Sequence, residues 1–156
     1  MKRVTHILNK IIEYSLIISL ALLSIIVSLQ VFSRYLFSIP MPWSTDINRI
    51  LFIYLVFLGA TIGIRDQSHL NIDILVNKFP KRLQKLLNIL VNFIILVFLI
   101  TLVVAGLIFV LSSTNQVTSY LRISISYYYL AIPLSAIAMV YYISFHLKDQ
   151  IKNFKK

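Results

Sequence analysis

Residues 86–111 read LLNILVNFIILVFLITLVVAGLIFVL, a run of 26 positions without Asp, Glu, Lys or Arg. A helix that crosses the hydrocarbon core of a bilayer needs about 20 consecutive, mostly apolar residues. A soluble domain needs polar and charged side chains on its surface, and this run has no charged side chain and few polar ones over its whole length. The stretch therefore predicts a membrane-spanning helix and sets the class of the protein.

Three further stretches, 14–33, 50–64 and 123–147, also lack these charged residues. The second is short, but it reaches 18 residues if the helix starts at Ile47 and the Arg49 side chain extends to the interface. We therefore predict an all-α integral membrane protein with four transmembrane helices. The expected spans of this single membrane domain, residues 1–156, are about 12–37, 46–64, 86–111 and 124–146.

The composition of the whole chain agrees with this class. Of its 156 residues, 59% are apolar and 13% are charged, about half the roughly 25% charged residues of soluble domains. The mean hydropathy is +0.87. These values exclude a soluble globular domain, a disordered chain and a nucleic-acid module, and the absence of cysteine excludes a disulfide scaffold.

The basic residues are distributed unevenly between the two sides that four spans create. Only Arg34, Arg49 and Arg122 fall on one side. The other twelve of the fifteen fall with the termini: Lys2, Arg3, Lys10, Arg65, Lys78, Lys81, Arg82, Lys85, Lys148, Lys152, Lys155 and Lys156. Because lysine and arginine accumulate in cytoplasmic loops, we predict an inner-membrane protein with both termini and the 65–85 loop in the cytoplasm. Most of the net charge of +10 then lies against lipid headgroups.

The loop after the second span is too apolar for a simple linker. Ile72, Leu75, Val76 and Phe79 share one helical face, and polar residues lie largely opposite. Such a pattern is typical of a helix that lies in the membrane interface. We predict a short interfacial amphipathic segment over about residues 68–80.

The predicted spans carry no group for catalysis or ion binding near the midplane. No carboxylate, lysine, arginine or histidine lies there, and the three histidines (His6, His69 and His146) fall at the inner boundary. Paired core histidines for haem are therefore absent, and we expect no enzyme, cofactor or metal site. His69 and Asp73 in the cytoplasmic loop have the i, i+4 spacing of half a metal site, but a solvated pair is the preferred interpretation.

Four residues in the spans favour helix packing. Gly59 and Gly63 form a small-xxx-small motif, which allows helices to approach closely. Asn88 and Asn92 share a face of the third helix, and their amides need a partner helix because lipid offers none. The sequence leaves open whether that partner belongs to this chain.

A polar and aromatic cluster is expected at the outer interface, where the first two helices meet. Its members are close in the hairpin, so a contact among Arg34, Asp46 and Arg49 is geometrically easy. The cluster is either a clasp between the two helices or a docking surface for a periplasmic partner. It comprises Gln30, Arg34, Tyr35, Trp43, Asp46 and Arg49.

The order of short motifs resembles the small membrane subunit of tripartite ATP-independent periplasmic (TRAP) transporters, the DctQ-like family. The motifs, in chain order, are Gln30-Val-Phe-Ser-Arg-Tyr35, Pro42-Trp-Ser-Thr-Asp-Ile-Asn-Arg49, Phe57-Leu-Gly-Ala60, Ser68-His-Leu-Asn-Ile-Asp73 and Phe79-Pro80. Two positions depart from the family pattern: Asp46 stands where glutamate is more usual, and Ser68 where glycine usually precedes the histidine.

This resemblance implies an auxiliary role in transport. In such systems a large multi-span permease subunit carries the substrate and sodium sites, and a periplasmic binding protein captures an organic acid such as a C4-dicarboxylate or a sialic acid. The small subunit carries no known substrate site. The expected partners are therefore this permease, this binding protein and membrane lipids, with no nucleic acid.

The alternative is a self-contained multidrug-type antiporter that exchanges protons for cationic drugs. Such a pump needs a carboxylate inside its first helix. Glu13 is the only candidate, and it lies at the cytoplasmic edge close to Lys10.

Overall fold

The computed structural model describes residues 2–66 and 80–154 of the chain. These residues form α1 (Lys2–Leu36), α2 (Trp43–Arg65), α3 (Lys81–Ser112), α4 (Ser126–Tyr129) and α5 (Ala131–Phe154). The predicted all-α fold is confirmed, because four helical stretches are long and apolar enough to cross a membrane: Thr5–Leu36, Trp43–Arg65, Leu86–Ser112 and Ser126–Lys148. Apart from Pro80, the predicted interfacial segment lies outside the described residues.

The helices extend beyond the charge-free stretches. Lys2 and Lys81, both charged, are the first residues of α1 and α3, since a helix that has left the hydrocarbon tolerates charged side chains. Pro80 immediately precedes α3 with φ −61° and ψ 145°. A proline is well placed there because the first N–H groups of a helix have no intrahelical partner.

The fourth span is interrupted near its beginning. Leu130 separates α4 from α5, although its N–H still bonds to the Ser126 carbonyl at 2.9 Å. Pro133 follows three residues later and cannot donate the N–H that the Tyr129 carbonyl would accept in a regular helix. The proline is therefore preceded by a one-residue break in the helix.

The helices pack as an open row in the order α1, α2, α5, α3, and α1 and α3 make no extensive contact within the described ranges. In the most apolar segment of the fourth span, most of which belongs to α5, 44% of the residues are buried. In the corresponding segments of the other spans, the buried fraction is 6% in α1, 6% in α2 and 11% in α3. The core consists of Leu99 from α3 and Met139 and Ile143 from α5. Both edge helices therefore present most of their apolar surface to the surroundings.

The connections define two ends of this row. The α1–α2 connection (37–42) and the α3–α4 connection (113–125) lie together at what we call the loop end. The first turns of α1, the C-terminal end of α2 and the last turns of α5 lie at the opposite end, which we call the terminus end. Hydrogen bonds between elements concentrate at these two ends.

Candidate functional sites at the two ends of the helix row

At the loop end, Asp46 ties the first turn of α2 to the α3–α4 connection. Its Oδ2 atom accepts hydrogen bonds from the main-chain N–H groups of Tyr120 at 3.1 Å and Leu121 at 2.9 Å. The Tyr128 hydroxyl donates to the main-chain carbonyl of Asp46 at 2.9 Å. Hydrogen bonds to an ionised acceptor are stronger than those between neutral groups, so Asp46 holds this connection in one position.

The connection itself is a small hairpin. Val117 and Ser124 form an isolated antiparallel bridge, and the Thr118 N–H bonds to the Ile123 carbonyl at 2.9 Å. Arg122 has φ 52°, a left-handed conformation that is uncommon for residues other than glycine. The tight turn directs two consecutive main-chain N–H groups towards α2, where Asp46 accepts them.

The predicted clasp residues make different contacts from those in the hypothesis. The Asn48 Nδ2 donates to Gln30 Oε1 at 2.9 Å, so an amide pair links α1 to α2. Arg34 is exposed and forms no ion pair with the rest of the described chain. Tyr35 and Trp43 are 80% and 40% exposed. Asp46 thus contacts the hairpin of the α3–α4 connection, and at the loop end the uncharged Gln30–Asn48 pair links α1 to α2.

Arg49 lies beside the same hairpin. It lines a cavity of about 240 Å³ together with Thr118, Tyr128 and Tyr129. In the described part of the chain, no ion pair joins Arg49 to Asp46. Arg49, a member of the predicted cluster, therefore places a positive charge where the hairpin meets α2.

At the terminus end, Arg65 joins α2 to α1. Its Nη1 donates to Glu13 Oε1 at 2.6 Å, and its Nε donates to Asp66 Oδ1 at 2.7 Å. The hydrogen bond from Arg65 lowers the pKa of the exposed Asp66 carboxyl below its usual value, against a smaller opposing effect of burial. His146 of α5 places its Nε2 3.3 Å from the Arg65 carbonyl. Three helices therefore meet around the Arg65 side chain and main chain.

Two tyrosines of α5 extend this contact to the first turns of α1. The Tyr142 hydroxyl donates to Asn9 Oδ1 at 2.5 Å, and the Tyr141 hydroxyl lies 3.0 Å from Thr5 Oγ1. Helices α1 and α5 are not neighbours in the row, so these bonds join them across α2 at the terminus end.

Within the spans, the predicted packing residues have unequal roles. Asn92 is 2% exposed and its Nδ2 donates to Gln150 Oε1 of α5 at 2.8 Å, whereas Asn88 is exposed. A Cβ added to Gly59 would meet Leu16 of α1 at 3.7 Å, an ordinary contact. The closest approach is at Gly106 of α3, where an added Cβ would lie 3.0 Å from Pro133 Cδ.

Sequence reasoning missed several of these contacts. The acceptor role of Asp46 depends on main-chain groups of Tyr120 and Leu121, which no side-chain pattern reveals. Gly106 has no small residue four positions before or after it, and its close contact with Pro133 was not predicted. The Glu13–Arg65 pair is separated by 52 positions, so only the meeting of α1 and α2 brings it together.

Within residues 2–66 and 80–154, the charged side chains that form hydrogen bonds between elements lie at the two ends of the helix row. Among the described residues, no group of three or more His, Asp or Glu side chains is placed to hold a metal ion. His69 and Asp73 lie outside the described residues. The polar contacts that do exist fasten helices and a hairpin to one another, which is what a rigid membrane scaffold requires.

Comparison with known proteins identifies similar sequences. The sequence profile of the family described as "Tripartite ATP-independent periplasmic transporters, DctQ component" matches residues 23–153. A putative TRAP transporter small permease protein of Haemophilus influenzae is 37% identical over 97 residues, which cover 62% of this chain and 60% of that protein. A second protein of that description from the same organism is 27% identical over 154 residues, or 99% of this chain and 92% of the relative.

A third relative is much longer than this chain. It is the sialic acid TRAP transporter permease protein SiaT of Haemophilus influenzae, which is 29% identical over 126 residues. That match covers 81% of this chain but 20% of SiaT.

Proposed function

The chain belongs to the family of DctQ components, the small permease proteins of TRAP transporters, and we propose that it anchors a large permease subunit during sodium-driven uptake of an organic acid. It is a transporter membrane subunit and not an enzyme. In this proposal the chain is a static part of the assembly, and the large subunit carries substrate and ion.

The observation that carries the proposal is the position of the charged side chains. Glu13, Arg65 and Asp66 lie at the terminus end, and Asp46 and Arg49 lie at the loop end. Transporters place substrate and coupling-ion sites near the midplane, and a charged residue there would mark such a site. Because the spans hold charges only at their ends, the chain is suited to support a transport domain in another subunit.

The exposed edges of the row supply a surface for that subunit. The outer faces of α1 and α3 are rich in large apolar side chains, for example Ile17 at 58%, Phe32 at 61% and Phe98 at 61% exposure. The relation to SiaT supports a large partner, because the part that resembles this chain is one-fifth of a longer permease protein. We propose that the large subunit packs along one of these edges and lipid along the other.

We infer the substrate class, and a periplasmic binding protein as a further partner, from the names of the relatives. These are the sialic acid permease protein SiaT and the C4-dicarboxylate TRAP transporter small permease protein DctQ of Vibrio cholerae, which is 29% identical over 84 residues, or 54% of this chain and 36% of that protein. Both named substrates are organic anions. We propose a substrate of this class, delivered by a periplasmic binding protein. The bias of basic residues orients the terminus end towards the cytoplasm, so the hairpin held by Asp46 faces the periplasm and is available to that protein.

The antiporter alternative receives no support from Glu13. Its carboxylate is bound to Arg65 at 2.6 Å, at the end of the span. A proton-exchanging carboxylate would need to be free and placed deeper in the membrane.

Reconstitution tests the proposal directly. Proteoliposomes should be prepared with this chain, with the large permease subunit of its transporter, and with both, each with the cognate binding protein and a sodium gradient. Uptake of the organic acid is expected only when both membrane subunits are present. Uptake by this chain alone, or full uptake without it, would contradict the auxiliary role.

A further inference from the structure

A deep cleft lies between the two helices that flank α2. Its floor is formed by Tyr54, Leu58 and Thr61 of α2, and its walls by α1 on one side and α5 on the other. Its volume is about 490 Å³, within the roughly 300–1,000 Å³ range of ligand pockets. The cleft exists because α1 and α5 each pack on α2, whereas within the described ranges they make no extensive contact with each other beyond hydrogen bonds at the terminus end.

The polar groups of the lining are mostly engaged within the protein. The Tyr54 hydroxyl donates to the Tyr127 carbonyl at 3.2 Å, and the Thr61 hydroxyl donates to the Phe57 carbonyl at 2.9 Å. The Tyr141 hydroxyl bonds with Thr5. What remains facing the cleft is largely carbon, from side chains such as Ile12, Leu58 and Leu134. The surface therefore favours an apolar occupant, and an empty apolar cleft would lose dispersion contacts.

The dimensions match a single hydrocarbon chain. The α5 wall runs from Ala131 to Tyr141, which corresponds to about 15 Å at 1.5 Å per residue. This wall lies across the middle of the fourth span, Ser126–Lys148, and its length is about half the roughly 30 Å thickness of a hydrocarbon core.

The rim at the terminus end is suited to a lipid headgroup. Tyr141, Phe145 and Lys148 follow one face of α5 outward from the cleft, at the i, i+4, i+7 spacing. The rings of Tyr141 and Phe145 are 4.8 Å apart, and the Lys148 Nζ lies 6.0 Å from the Phe145 ring centre. Aromatic rings and a lysine at this depth are typical of the membrane interface, and the ammonium group attracts an anionic phosphate.

We propose that the cleft between α1 and α5 binds one acyl chain of a phospholipid from the leaflet at the terminus end, with the lipid phosphate beside Lys148. The bound chain fills the gap that the row leaves between α1 and α5 and fixes their separation. The site is a property of this chain and does not depend on the transported substrate.

Photo-cross-linking tests this site in the unmodified protein. The full-length chain is placed in nanodiscs containing phosphatidylglycerol that carries a diazirine midway along one acyl chain. Peptide mass spectrometry after illumination is expected to find adducts concentrated on residues 8–15 and 131–141. Adducts spread evenly over all exposed helix faces, including α3, would overturn the proposal.

A matched pair of variants tests occupancy. Ala138→Phe fills the cleft, whereas Ala21→Phe makes the same change on an exposed part of α1 outside the lining. After washing in detergent, wild type and Ala21→Phe are expected to retain one phospholipid per chain by native mass spectrometry. Ala138→Phe should lose this lipid and the cross-links at residues 131–141. Equal retention by both variants, or loss of the large permease subunit from Ala138→Phe without loss of lipid, would overturn the proposal.

Discussion

The carboxylate of Asp46 lies 2.9 Å from the main-chain N–H of Leu121, a residue 75 positions later in the chain. This hydrogen bond, with the neighbouring one to Tyr120, joins the start of α2 to the hairpin between α3 and α4. Both hydrogen bonds join an acidic side chain to main-chain N–H groups. A side chain of a distant helix therefore helps to position the hairpin.

Replacing Asp46 should loosen the hairpin. In Asp46→Ala the N–H groups of Tyr120 and Leu121 lose their acceptor, so we expect their hydrogen exchange to become faster. Uptake by the assembled transporter should fall, because the hairpin is proposed to face the binding protein. Thr45→Ala, at the exposed neighbouring position, is the control. Unchanged exchange in Asp46→Ala would show that the hairpin is held by other contacts.

Gly106 and Gly59 should respond differently to the same substitution. The Cβ of Gly106→Ala would lie 3.0 Å from Pro133 Cδ and 3.2 Å from the Pro133 nitrogen, while that of Gly59→Ala meets a flexible leucine at 3.7 Å. We expect Gly106→Ala to destabilise the protein by about 1–3 kcal/mol, the usual cost of overpacking. Gly59→Ala should leave stability unchanged or higher. Thermal unfolding in detergent measures both, and equal midpoints would contradict the close α3–α5 contact.

Asn92 and Gln150 should be energetically coupled. Asn92 is buried and donates to Gln150 at 2.8 Å, and hydrogen bonds between membrane helices contribute about 0.6 kcal/mol on average and at most about 1.7. A double-mutant cycle with Asn92→Ala and Gln150→Ala is expected to give a coupling in this range. Asn88→Ala, one turn away on an exposed position, should show none with Gln150→Ala. A coupling of zero for the Asn92 cycle would exclude the contact.

Glu13 should be dispensable for ion coupling. Its side chain is 47% exposed and its partner Arg65 is 19% exposed, and a partly exposed pair contributes roughly 0–1 kcal/mol. Glu13→Gln is therefore expected to lower stability slightly and to leave the sodium dependence of uptake by the assembled transporter unchanged. Arg65→Gln also removes the partner of Asp66, so at neutral pH it should destabilise the protein more than Glu13→Gln does. This additional loss of stability should disappear as the pH falls through the lowered pKa of Asp66, because the protonated carboxyl no longer forms an ion pair with Arg65. A change in the ion dependence of uptake in Glu13→Gln would contradict this prediction and favour the antiporter hypothesis.

The predicted topology is testable because the chain contains no cysteine. Single cysteines at positions 40 and 115, both exposed at the loop end, should react with a membrane-impermeant thiol reagent in intact cells. Cysteines at positions 5 and 152 should be protected until the membrane is permeabilised. The reverse pattern would invert the orientation inferred from the basic residues.

Several features of the fold and site were accessible from the sequence because they depend on local composition. The charge-free run 86–111 predicts α3, and three similar runs predict the other spans, since a bilayer requires a long apolar helix whatever its neighbours are. Asn92 was predicted to need a partner helix for the same reason. The sequence also placed Asp46 in a polar cluster at the outer interface, because Asp46 lies close to the connection between α1 and α2.

The partners of these residues were decided by tertiary structure alone. Asn88 and Asn92 share a helix face in sequence, yet only Asn92 is buried, because α5 crosses that part of α3. Asp46 was expected beside Arg34, but the order α1, α2, α5, α3 brings the hairpin of the α3–α4 connection to the start of α2. In a membrane, apolar helix faces can contact either lipid or another helix, so they do not select one arrangement of the helices. The sequence therefore determined which segments span, while the few polar contacts and close approaches between distant helices decided how they pack.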